Sequence, residues 1–130
     1  MLPLKRKVKD IGDVIESIEF WPTPKNLCLA ALKLIPNVHT SAYALDPGAG
    51  SGVWGDAFRE LNGHAELSGV ELRPTKSVIK YDNWVTGKDY LRLENHVNFD
   101  IIFGNPPYSL AEEFIRKGLS ELEQGGYLIF

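Results

Sequence analysis

The chain has 130 residues, of which 44% are hydrophobic, enough for one domain with one core and too few for two. A formal charge of −3 and a pI near 5.6 exclude a global basic footprint for nucleic acid, so the basic run "KRKVK" from Lys5 to Lys9 reads as a solvated chain end. No apolar stretch matches a signal core or a membrane span, so neither secretion nor membrane insertion is expected and the expected location is cytoplasmic.

In chain order, Val8, Ile11, Val14, Ile15 and Ile18 recur every three or four residues, which predicts a helix. "EFWPTPKN" breaks that stripe. Thr23 and Pro24 then read as an N-cap and first-turn pair for a second helix from Lys25 to Ile35, in which the lone Cys28 is a small core hydrophobe. Ala42 to Asp46 predicts a short buried strand that ends in a carboxylate, and "PGAGSG" is the loop after it. A helix follows from Val53 to Leu61, then a strand from Leu67 to Leu72, a helix from Pro74 to Tyr81, and short strands from Trp84 to Thr86 and Phe99 to Gly104. Leu110 to Leu122 is helical, "QGG" stops it, and "YLIF" opens a further strand. Strands separated by helix-length segments argue for a single α/β domain over 1–130, a parallel sheet with helices on both faces.

The glycine-dense loop lets the backbone approach a ligand closely and presents amides at a helix N-terminus. Gly50, Gly52 and Gly55 spell the dinucleotide fingerprint G-x-G-x-x-G, with Glu71 at the end of the next strand as a ribose-binding carboxylate should be. Asp46 separates the readings. A carboxylate ahead of the glycines would meet a pyrophosphate badly and suits an amino-bearing ligand such as the aminocarboxypropyl part of S-adenosylmethionine. In the competing reading Asp46 is a turn cap and the glycines make only a tight turn.

"DPGAGSG", then Glu71 in "VELRP", then "NPPY", with "FWPTP" upstream, resembles the class I S-adenosylmethionine-dependent methyltransferases, specifically those that modify the 6-amino group of adenine in DNA. The resemblance covers Phe20 to Phe130. It implies a Rossmann-like three-layer sandwich with a mainly parallel sheet in the order 3-2-1-4-5; this sequence departs from the family in stopping inside the expected fifth strand, without the usual later strands or a target-recognition domain, and a separate target-recognition domain or subunit is an expected partner. The cofactor it implies is S-adenosyl-L-methionine. Thr23 and Pro24 stand near its methionine part, Asp46, Gly48, Gly50 and Gly52 line that part, Glu71 accepts from both ribose hydroxyls, and Asp89 meets the adenine ring. Asn105 and Pro106 present acceptors to the target amine, Pro107 stiffens the turn, and Tyr108 offers a face for a base flipped out of duplex DNA, the expected partner. No metal is implied, and His39, His64 and His96 show no ligand spacing. Similar turns serve methyltransferases acting on RNA bases and on protein glutamine side chains. A non-catalytic module that retains cofactor affinity is the reading from another class.

Overall fold

The structure, a computed structural model, describes residues 22–75, 80–95 and 97–130. The helix expected from Val8 to Ile18 lies outside the described residues, as do Phe20, Trp21, His96 and the middle of the helix expected from Pro74 to Tyr81.

Short apolar runs bounded by turn residues form β1 (Tyr43–Asp46), β2 (Glu66–Glu71), β3 (Asn83–Thr86), β4 (Phe99–Phe103) and β5 (Leu122–Ile129). They make one sheet in the order β3-β2-β1-β4-β5, with every neighbouring pair parallel. The helices are α1 (Lys25–Leu32), α2 (Val53–Leu61) and α3 (Ala111–Glu121). This is the α/β sandwich, in the strand order the sequence implied.

Alternation along β1 and β4 divides the core in two. Ala44, Ile101 and Phe103 pack with Leu67, with Cys28 and Leu32 of α1, and with Trp54 and Phe58 of α2. Leu45 and Ile102 face the other way, into Val70, Tyr90 and Phe114 of α3. Burial on both faces is what an inner parallel strand needs, and each wholly buried Leu or Phe contributes about 1.5–3 kcal/mol. Phe103 carries the first layer, stacked 5.2 Å from Phe58 and 5.9 Å from Trp54. At the amino edge, the Asp100 carboxylate on β4 accepts from the Ala42 and Tyr43 amides at the start of β1, each at 2.9 Å.

Four expectations are corrected. Thr23 is not the N-cap of α1. Pro24 holds that position without a side-chain hydrogen bond, and its carbonyl accepts from Leu27 and Cys28. The helix ends at Leu32 rather than Ile35, because tighter turns of i−3 type take the Leu34 and Ile35 amides. "QGG" does not separate α3 from a later strand. The chain passes from Glu121 into β5 with no loop, and the glycines form an irregularity inside the strand between Leu122, opposite Phe99, and Tyr127, opposite Ile101. A Cβ on Gly126 would stand 2.9 Å from the Asp100 carbonyl, so the bulge needs a residue without a side chain. Of the helix expected from Pro74 to Tyr81, the described residues Pro74, Thr75, Lys80 and Tyr81 lie outside any helix.

Candidate active site

Because all strands run one way, their carboxyl ends share one edge, and the strand order reverses beside β1, which is where open parallel sheets bind their ligands. Asp46 ends β1, Glu71 ends β2, and Gly104 follows β4. The loop after β1 curls toward β2: the Ala49 amide donates to the Val70 carbonyl at 2.8 Å, and the Gly50 amide donates to Glu71 Oε1 at 3.1 Å. Gly50 and Gly52 hold φ of 57° and 91°, where an L side chain costs roughly 1–2 kcal/mol. Gly52 is the N-cap of α2, so the loop delivers the chain directly into the helix.

Glu71 is largely buried, and its other oxygen accepts from Arg73 Nε at 2.7 Å and the Arg73 amide at 3.2 Å. The residue assigned to a ribose therefore also fastens the glycine loop to β2. A carboxylate offers about four acceptor positions, and these three contacts leave one on Oε1.

Asp46 is wholly buried. Its Oδ2 accepts from the Tyr81 hydroxyl at 2.6 Å, while Oδ1 has no hydrogen-bond partner among the described residues. Burial pushes the carboxyl up to about 7, opposed by the Tyr81 hydrogen bond and the nearby Gly48 amide and reinforced by the Glu71 charge. The Gly48 amide acts without reaching hydrogen-bond geometry to Oδ1. Oδ1 lies against the next strand, 3.1 Å from where a Cβ on Gly104 would be, and Pro47 Cδ at 4.0 Å is the other atom near that vacant position. The Asn105–Tyr108 turn begins there. Asn105, Pro106 and Pro107 are half-buried, and Tyr108 is 72% exposed at the head of a 3-10 turn, Tyr108–Leu110.

The edge thus brings together Asp46, Gly48, Gly50, Gly52, Glu71 and the turn from Asn105 to Tyr108. α1 approaches through Cys28, whose thiol is pushed up to about 11 by burial first and by the Asp46 charge second. No hydrogen bond among the described residues ties Thr23 or Pro24 to the glycine loop. Asp89 follows β3, but its carboxylate is engaged: Oδ1 accepts from the Leu91 amide at 3.0 Å as an N-cap, and Oδ2 lies 3.7 Å from Arg92 Nε. A separate cleft of about 360 Å³ lies at the opposite edge, where its one carboxylate, Asp100, is already taken up by the start of β1.

No family model matches the chain. Solved structures do. A protein assigned as an O-methyltransferase from Klebsiella pneumoniae superposes with a TM-score of 0.59 at 15% identity, over 96% of this chain and 66% of its own. DesVI of Streptomyces venezuelae gives 0.58 at 16% identity, over 81% and 49%. A protein assigned as an RNA methyltransferase from Pyrococcus horikoshii gives 0.56 at 16% identity, over 86% and 68%. This is the class I methyltransferase fold. The chain spans between half and about two thirds of the length of these proteins.

In methyltransferases of this fold the usual cofactor is S-adenosyl-L-methionine, and the residues at the edge suit such a ligand. A buried carboxylate oxygen without a partner among the described residues fits an ammonium group, the left-handed glycines let backbone come close, and a second carboxylate ends the neighbouring strand. Among the described residues no group of three His, Cys, Asp or Glu side chains is placed to hold a metal ion. No described helix is long and apolar enough to cross a membrane.

Sequence reasoning missed Tyr81. Its hydroxyl donates to Asp46 and accepts from the Gly55 amide at 3.1 Å. Its ring fills the space where Gly55 and Gly69 have no side chain, since a Cβ at either would stand 2.4 Å or 2.6 Å from ring carbons. Gly55, the last glycine of the fingerprint, therefore makes room for a tyrosine.

Proposed function

We propose that this chain is the cofactor-binding and catalytic part of an S-adenosylmethionine-dependent methyltransferase acting on the 6-amino group of adenine in DNA. The observation that carries the reading is the emergence of Asn-Pro-Pro-Tyr directly beside Asp46 Oδ1, which has no hydrogen-bond partner among the described residues, with an exposed tyrosine ring at its end. The cofactor, when bound, supplies an electrophilic methyl group on a sulfonium. Asp46 accepts from the amino group of its methionine part, Gly48, Gly50 and Gly52 admit that part against the backbone, and Thr23 and Pro24 border it. Glu71 accepts from a ribose hydroxyl at the position left on Oε1, and Asp89 stands at the adenine end.

The lone pair of an exocyclic amine is delocalised into its ring, so the nitrogen is a poor nucleophile. The Asn105 carboxamide oxygen and the Pro106 carbonyl accept from its N–H groups, hold it out of conjugation, and stabilise the positive charge that grows on nitrogen as the lone pair is used. Pro106 and Pro107 have fixed φ, so these acceptors reorganise little during reaction. Tyr108 stacks on the planar target, a contact worth about 1–3 kcal/mol.

The test is single-turnover transfer of a labelled methyl group to duplex and single-stranded DNA containing adenine, with RNA and a glutamine-bearing peptide in parallel. Transfer to DNA at the adenine amine is the expected result. Transfer to RNA alone overturns the DNA assignment and favours a second reading, to which the RNA methyltransferase likeness lends support. Cofactor binding with no transfer to any substrate favours a binding module, as the partial coverage of the similar structures allows.

A further inference from the structure

Two glycines stand where glycine costs stability, Gly55 in the first turns of α2 and Gly69 in the middle of β2, and both abut one side chain. That side chain is Tyr81, which is 5% exposed and packed edge-on to Trp84 at 5.0 Å. Packing alone would be served equally well by phenylalanine, with no buried hydroxyl to satisfy. The hydroxyl instead joins the Gly55 amide of α2 to Oδ2 of Asp46, and a tyrosine O–H that donates to one oxygen of a buried carboxylate fixes which way the other faces.

We propose that Tyr81 is a positioning residue of the cofactor site: by holding Oδ2 it turns Oδ1 of Asp46 toward the gap at Gly104, as the acceptor for the ammonium of an amino-acid-bearing ligand. This rests on the cofactor reading above. Solvent does not reach Oδ1, so a charge-assisted contact there is poorly screened and only a small donor entering where residue 104 lacks a side chain can make it. A carboxylate released from Tyr81 could rotate, and its partnerless oxygen would no longer be aimed.

The experiment compares two ligands that share the adenosine part and differ at the amino-acid end. S-Adenosylhomocysteine carries the ammonium, and 5′-methylthioadenosine lacks it. Calorimetric affinities are measured for the wild type, Tyr81→Phe, Asp46→Asn and the double variant, with urea unfolding as a check on folding, since Tyr81→Phe keeps the ring between Gly55 and Gly69. The expected result is a tenfold or greater loss for S-adenosylhomocysteine in Tyr81→Phe, at most a twofold change for 5′-methylthioadenosine, and little added effect of Tyr81→Phe once Asp46→Asn is present. Equal losses for both ligands, or additive effects in the double variant, would show a role in packing alone and overturn the proposal. If the wild type binds neither ligand, the cofactor reading falls, and this proposal with it.

Discussion

Replacing Asp46 by asparagine tests the electrostatics of the site without touching a substrate. The side chain is wholly buried, and its carboxyl rises from an ordinary 3.8 to about 7, chiefly because burial penalises the charge. At 1.36 kcal/mol per pH unit, that gap corresponds to about 4 kcal/mol, the order of the cost of keeping this carboxylate ionised in the folded protein. The sign follows from linkage. Between pH 3.8 and 7 the folded state binds a proton that the unfolded state has lost, so wild-type stability falls as pH rises through this window and levels off above it. Asp46→Asn does not titrate, and its amide oxygen can still accept from Tyr81. Urea unfolding of both proteins from pH 4 to pH 8.5 isolates Asp46 together with the groups coupled to it, because titrations independent of it cancel in the difference. The stability gap should move by about 2–4 kcal/mol in favour of the variant as pH rises, while affinity for the cofactor falls. Parallel pH profiles would mean that Asp46 ionises at an ordinary pH and that burial imposes no such cost.

Glu71→Ala removes both an acceptor for the ligand and the anchor of the Gly50 amide, so cofactor affinity should drop by about 1–3 kcal/mol in calorimetric titration; an unchanged isotherm refutes the assignment. Asn105→Ala should slow single-turnover methyl transfer by about 10²-fold or more with cofactor affinity nearly unchanged, whereas equal loss of binding would make the turn structural. Tyr108→Ala should weaken target binding by about 1–3 kcal/mol and Tyr108→Phe hardly at all, as gel-shift titration with adenine-containing DNA would report. Gly69→Ala drives a Cβ to 2.6 Å from the Tyr81 ring and 2.9 Å from Trp84, and should cost about 1–3 kcal/mol in urea unfolding, with a smaller cost in a Tyr81→Leu background.

Local pattern carried much of this architecture. The apolar stripe of Val53 to Leu61 sets both ends of α2, and strands expected at Ala42, Leu67 and Trp84 begin within a residue of where they form, because periodicity and turn residues are local properties. The α3–β5 junction was not legible. A Gln-Gly-Gly run ordinarily ends an element, and only the carbonyl of Asp100 across the strand pair shows why the glycines lie within one. Asp46, Glu71 and Asn105 could be picked out because each ends a strand or follows one. Tyr81 could not, because it acts through contacts 26 and 35 residues away. A signal was nonetheless present: Gly55 inside a helix and Gly69 inside a strand are each costly locally, and together they imply a bulky neighbour between layers.

The Asp100 contact at the foot of the sheet also bears on how the protein is made. It joins β4 to β1 across 58 residues, and strands β1 and β4 then present Asp46 and the Asn105 turn side by side. The chain between must be closed into a loop before either strand gains that neighbour, an entropic toll that local helix formation does not meet. During synthesis the glycine loop leaves the ribosome before the Asn105 turn, so the two sides of the site meet only when β4 docks beside β1. A ligand that stabilises the site should therefore report on docking of β4 by slowing global unfolding.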